Sequence, residues 1–276
     1  MTTSVRSRPA RLLRSSSLVA SGLLLVFACT ARGDATSRLG VGAPAQVDSL
    51  RPAAPPGEPA ASFPAPTREV ADIVAPRWSN EDVRDDAGEF QRVARIAGVR
   101  AGQHIADIGA GDGYYVSRLS PLVGATGRVY GNDIVPEYLR LLQARVQREK
   151  LTNVQVVLGD AHDPRLPAGD LDLVVMIHMY HEITQPFALL WNLATAMKPG
   201  GRLVILDLER PTYGHGTPPA LLRCELRAVG YRERSFTKTA GEEYVAVFDA
   251  PSLAERPVPA AIRAQLASHA CRAPRN

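Results

Sequence analysis

HIADIGAGDGYYVSRLS, residues 104–120, reads as a short apolar strand, a glycine loop and the start of a helix. The strand covers His104 to Ile108 and carries an acid, Asp107, near its end. Gly109, Gly111 and Gly113 follow at once. Glycines let the backbone turn sharply and approach a ligand that a side chain would block. The helix start behind them offers unpaired N–H groups and the positive end of the helix dipole. Strand, glycine loop and helix together make a cofactor cradle. A dinucleotide loop of the form G-x-G-x-x-G would put its third glycine at position 114. Tyr114 stands there, and the glycine comes one residue earlier.

Working outward, strands and helices alternate. NEDVRDDAGEFQRVARIAGV predicts a helix with Phe90, Val93 and Ile96 on its core face and Gly98 at its end. A helix over about 113–122 follows the glycine loop. GRVYGNDI (127–134) is a second strand with Asp133 near its end, and Pro136 opens the next helix. NVQVVLGDA (153–161) is a third strand that runs into Asp160 and Ala161. LDLVVMIHM (171–179) is continuously apolar, as expected of a strand buried on both faces. A helix over 186–197 is broken by Lys198-Pro199-Gly200-Gly201, and RLVILDLE is the fifth strand. A helix over 218–229 precedes RERSFTKT and EYVAVFDA, a candidate antiparallel pair. The expected fold is α/β: a doubly wound, Rossmann-like, seven-stranded and mostly parallel sheet ending in an antiparallel hairpin.

The pattern acid-x-G-x-G-x-G resembles motif I of the class I S-adenosylmethionine (SAM) dependent methyltransferases. Further segments resemble that family at matching distances: Asp133 after strand two, Gly159-Asp160-Ala161 after strand three, the LDLVV strand, KPGG before strand five and the final hairpin. The resemblance covers residues 89–250. It implies SAM as cofactor, with Asp107, Gly109, Gly111 and Gly113 at its methionine end, Asp133 on the ribose and Asp160-Ala161 at the adenine. Within the family, His178-Met-Tyr-His181-Glu182 resembles the turn of enzymes that methylate quinone precursors and other small molecules. Residues 111–134 also resemble protein isoaspartate methyltransferases, but their N-terminal substrate signature is missing. The expected function is methyl transfer to a small-molecule acceptor. The alternatives are a protein isoaspartate-type enzyme and a non-catalytic ligand-binding envelope protein on the same fold.

Methyl transfer from a sulfonium is an in-line displacement and needs a base only if the acceptor must lose a proton. His178 and His181 are the candidates, because they sit where open α/β sheets bind ligands. The plainer reading makes both packed, hydrogen-bonded histidines. Tyr114 and Tyr115 either cover the cofactor or fill the helix surface. Asp207, Glu209, Arg210 and His215 follow strand five and are candidates for the acceptor pocket. No metal is assigned: HxxHE is not the HExxH zinc motif, and no third ligand is evident nearby in sequence.

Composition bounds the rest. The 276 residues carry a formal charge of +4, but Arg6, Arg8, Arg11 and Arg14 supply all of it, and the remaining chain is balanced. No nucleic-acid partner is expected. Three cysteines, Cys29, Cys224 and Cys271, are too scattered to imply a disulfide framework. Residues 1–30 read as a signal or lipoprotein peptide. The apolar run Leu18–Ala28 is too short to span a bilayer core, which takes about 20 residues. Cys29 directly follows it and resembles the lipidated cysteine of a bacterial lipobox, which would give membrane attachment. Phe27 is bulkier than that box usually has, which keeps cleavage after Ala31 or Ala35 open, as well as an uncleaved anchor. Residues 31–76, rich in proline and alanine, read as a disordered tether. The methyltransferase domain is expected over 77–252 and a C-terminal tail over 253–276. The location is then the bacterial cell envelope, or the cytoplasm if the leader reading fails. Export sits awkwardly with a SAM site, because SAM is made in the cytoplasm.

Overall fold

The computed structural model describes residues 50–73 and 80–272. The leader, Cys29 and the first part of the tether lie outside them. Seven strands form one sheet in the order β3-β2-β1-β4-β5-β7-β6. They are β1 (His104–Ile108), β2 (Arg128–Asp133), β3 (Val154–Leu158), β4 (Leu171–Ile177), β5 (Met197–Leu208), β6 (Arg232–Lys238) and β7 (Glu243–Asp249). β1 to β5 pair in parallel, whereas β7 runs antiparallel to β5 and to β6. The expected sheet is therefore present, hairpin included.

Side chains alternate across a strand, so each central strand feeds two cores. Ala106, Val174, Met176, Leu203 and Ile205 face one side and pack under α5 (Pro186–Ala196), α6 (Pro219–Ala228) and α7 (Pro259–Ser268). Ile105, Leu173, Val175, Val204 and Leu206 face the other, under α2 (Glu89–Ala97), α3 (Tyr114–Val123) and α4 (Pro136–Arg148). The strand order reverses between β1 and β4, and ligands bind at such a switch point, beyond the carboxyl ends of the strands.

Four features differ from the expectations. The single helix before β1 is two, α1 (Glu81–Asp86) and α2, because Gly88 takes a left-handed conformation between them, φ 62°. KPGG does not precede β5 but bends it: Leu171 pairs with Met197 and Leu173 with Arg202, so the register jumps over the insertion. Residues 50–73 are not a free tether. They pack on the domain as a strap, with Phe63 in the core against Trp191 and Gly57 N–H donating to Asp163 at 2.7 Å. The scattered cysteines are also paired in part. Cys224 on α6 and Cys271 beyond α7 form a disulfide that staples the C-terminal segment to the domain. Spacing along the chain hid this pair; packing of α7 beside α6 brings the two within reach. Among the described residues, no helix is long and apolar enough to cross a membrane.

Candidate active site

A cavity of about 380 Å³ opens at the switch point. Its floor is the first part of the glycine loop, Gly109 to Gly111, whereas Gly113 lies behind it against α4 and does not line the cavity. Gly109, Gly111 and Gly113 have φ of 73°, 56° and 93°, a region in which other residues are strained. A Cβ on Gly113 would come within 2.4 Å of Leu142 on α4, so the loop and that helix close together only through glycine. The loop's N–H groups are largely spent inside the protein. Those of Gly109 and Ala110 donate to the Asn132 carbonyl, that of Gly113 to the Ala110 carbonyl, and that of Gly111 to Asp133 at 3.0 Å. A dinucleotide's pyrophosphate would find few donors here, which agrees with the glycine spacing.

The walls are acidic. Asp72, Asp107, Asp133, Asp160 and Glu182 line the cavity, while the one guanidinium among the described lining residues is Arg84. Arg84 is already committed: it pairs with Glu89 at 2.6 Å and lies over the Tyr114 ring. Burial pushes the Asp107 carboxyl up to about 8, with Asp133 adding to the effect and Arg84 opposing it. Burial raises Asp133 too, against the backbone N–H groups of Val135, Gly111 and Ile134. Asp133 thus clips the glycine loop to β2 while presenting a carboxylate to the cavity. Asp160 and Ala161 also line the cavity, with the Asp160 carboxylate held by Arg165 at 2.9 Å.

The two histidines part company. His178 lines the cavity, and its Nε2 lies 3.4 Å from Glu89. Burial works against ionising Glu89, yet His178 and Arg84 outweigh it and hold its carboxyl at about 2. A fixed anion therefore backs His178, as it would back an imidazolium formed during proton transfer. His181 does not line the cavity. It is fully buried behind the wall, and its Nδ1 donates to Asp207 at 3.0 Å. Tyr114 and Tyr115 do line the cavity; their hydroxyls donate to Asp85 and Glu89. Asp207 lies within β5 rather than after it and is buried, and Glu209, Arg210 and His215, which do follow the strand, are not among the cavity's lining.

Two contributors had no sequence signal. Val70, Ala71, Asp72 and Ile73, from the strap, form one wall. Arg68 holds the turn after β4: its guanidinium donates to the carbonyls of Tyr180, His181 and Ile183, and its Nε pairs with buried Glu225 at 3.0 Å. Arg84 was legible only as a helix residue.

A family model for the methyltransferase domain matches residues 106–205, from the glycine loop's strand to the centre of β5. Residues 106–205 therefore carry the signature of a methyltransferase domain. The ubiquinone/menaquinone biosynthesis C-methyltransferase UbiE of Pseudomonas putida is 33% identical over 153 residues, which cover 52% of this chain and 60% of that one. The chain thus spans about three-fifths of the length of the curated relatives it matches. Among solved structures, a SAM-dependent methyltransferase from Aquifex aeolicus superposes with a TM-score of 0.57 at 24% identity, covering 61% of this chain and 93% of that one. A possible exported protein from Bordetella parapertussis superposes with a TM-score of 0.50 at 17% identity, covering 62% and 68%. Both likenesses are of fold.

The residues of this cavity fit SAM. The cofactor carries a sulfonium and an ammonium, and the cavity offers carboxylates against a single, already paired guanidinium. Asp133 can accept from vicinal ribose hydroxyls through lone pairs that the loop N–H groups leave open. We expect Asp133→Ala to weaken SAM binding at least tenfold by titration calorimetry; an unchanged affinity would remove the ribose assignment.

Proposed function

We propose that the protein transfers a methyl group from SAM to a small, largely apolar acceptor. The supporting observation is the charge of the cavity: a carboxylate-rich lining suits a ligand with two cationic centres and a net positive charge, and repels a nucleotide phosphate. Bound SAM would supply an electrophilic methyl carbon. The chain's part is to align an acceptor with it and keep water out. Ile73, Ile134, Ile177, Met179 and Ile183 give the cavity the apolar surface for that. His178, backed by Glu89, takes a proton where the acceptor has one to lose. An apolar acceptor agrees with the curated relatives, which are C-methyltransferases of ubiquinone/menaquinone biosynthesis. We further place the protein in the cell envelope, attached through Cys29. The Cys224–Cys271 disulfide supports an oxidising compartment, where such bonds persist.

The test is calorimetry with SAM and, separately, NADH. Micromolar binding of SAM alone is expected; binding of NADH alone, or of neither by folded protein, would overturn the proposal. A proton balance sharpens the test. With its pKa near 8, Asp107 is mostly protonated at pH 7, and a bound ammonium favours its carboxylate. Binding at pH 7 should therefore release protons, measured as a buffer-dependent heat. Affinity should rise from roughly pH 6 to pH 7.5, below the α-amino pKa of about 7.7–8.0. Asp107→Asn should abolish both effects; proton release that survives it would assign the titration elsewhere.

A further inference from the structure

We infer that His181, His215 and Glu182 form a site for a divalent transition-metal ion beside the cavity. The three come from two places, the turn after β4 and the loop after β5, 33 residues apart from Glu182 to His215, which is why no ligand spacing shows in the sequence. One nitrogen of each histidine and a carboxylate oxygen of Glu182 lie within 4.8 Å of one another. The two rings meet edge to face, their centroids 5.5 Å apart.

Two observations point to a ligand there. First, His181 Nε2 and His215 Nδ1 are buried nitrogens with no hydrogen-bond partner among the described residues. A buried polar atom left unpaired is costly, and a metal ion would satisfy both. Second, His181 is prepared for ligation from behind. Its Nδ1 faces Asp207, and that carboxylate is itself fixed by Thr217 Oγ1 at 2.7 Å and the Leu208 N–H at 2.8 Å. A carboxylate on Nδ1 sets the tautomer with its proton there, which leaves the lone pair on Nε2, the nitrogen without a hydrogen-bond partner. This carboxylate–histidine arrangement is the usual support for a metal-bound imidazole.

The donor set selects the ion. Two imidazoles and a carboxylate suit zinc or cobalt(II) better than magnesium or calcium, which prefer all-oxygen shells. Three protein ligands leave a fourth position open, as at catalytic rather than structural zinc sites. Glu182 lines the cavity, so an ion held there would stand at its edge and its open position could take an oxygen, nitrogen or sulfur of a ligand. A second group within the same reach, Glu89, His178 and Glu243, is less suited, because Arg84 already neutralises Glu89.

The assignment is independent of methyl transfer, because metal binding is measured without SAM. Untagged full-length protein, freed of metal by a chelator and dialysed, is titrated with Co²⁺ and then Zn²⁺. One Co²⁺ per chain with visible d–d absorption is expected, displaced by Zn²⁺. His215→Ala, in a partly exposed loop, and Asp207→Asn, behind His181, should each lower the affinity at least tenfold, while Glu243→Gln leaves it unchanged. Circular dichroism establishes that each metal-free variant is folded. Absence of saturable binding by the folded wild type overturns the inference. So does binding that survives His215→Ala, or that is lost in Glu243→Gln.

Discussion

Replacing Arg68 by alanine should cost about 3–5 kcal/mol of folding stability, the usual penalty for leaving one partner of a buried ion pair alone. Arg68 and Glu225 are almost wholly inaccessible, their side chains 1% and 0% exposed. The guanidinium also caps three backbone carbonyls, so the variant strands these acceptors as well. The loss should depend on pH. Burial already raises the Glu225 pKa, and Arg68 is the largest influence holding it down. Without Arg68 that pKa moves further up. A carboxyl whose folded pKa is raised loses stability as pH climbs from its unfolded value, about 4.3, toward the folded one. Urea unfolding should therefore show the variant losing more ground at pH 7 than at pH 4. Adding Glu225→Gln should flatten that difference. A pH-independent loss that persists in the double variant would mean that the carbonyl contacts, not the ion pair, carry the effect.

Removing the disulfide is the second large change. Cys224 and Cys271 are 47 residues apart, and closing a loop of that size is worth roughly 2–4 kcal/mol. Reduction should lower the melting temperature by roughly 5–15 °C in a domain of this size. The Cys224→Ser, Cys271→Ser double variant should melt where the reduced wild type does and ignore the reductant. A reductant-sensitive double variant would show that the shift has another origin. The bond also bears on the site, because Cys224 neighbours Glu225, the partner of Arg68 in the strap. Loosening α6 should loosen the turn that carries His181.

The contrast between what the sequence revealed and what it hid has a physical basis. β1 to β5 and the glycine loop were legible because buried parallel strands are short continuous apolar runs and because positive φ demands glycine. Asp107, Asp133 and Asp160 were legible because each stands at or just past the carboxyl end of such a strand, at the edge where ligands bind. The strap was not. Its composition of proline and alanine has no period, and it is attached by isolated side chains, Phe63 into the core and Arg68 onto Glu225, and by scattered backbone hydrogen bonds, with partners that lie more than a hundred residues away. His181 was legible as a member of the turn, but not its orientation: the ring turns from the cavity toward Asp207, a contact set by the neighbouring positions of β4 and β5. Arg84 was hidden for the same reason, since only the break at Gly88 folds α1 back over the tyrosines.

The strap changes what counts as the smallest active piece of this chain. A protein begun at residue 77, the domain start expected from the sequence, would keep every motif between residues 89 and 250 and still lack Val70 to Ile73 from the cavity wall and Arg68 from behind the turn. Silence from such a truncation would report an open-sided vessel rather than an inert enzyme. The boundary that matters for chemistry lies upstream of the boundary that matters for sequence matching.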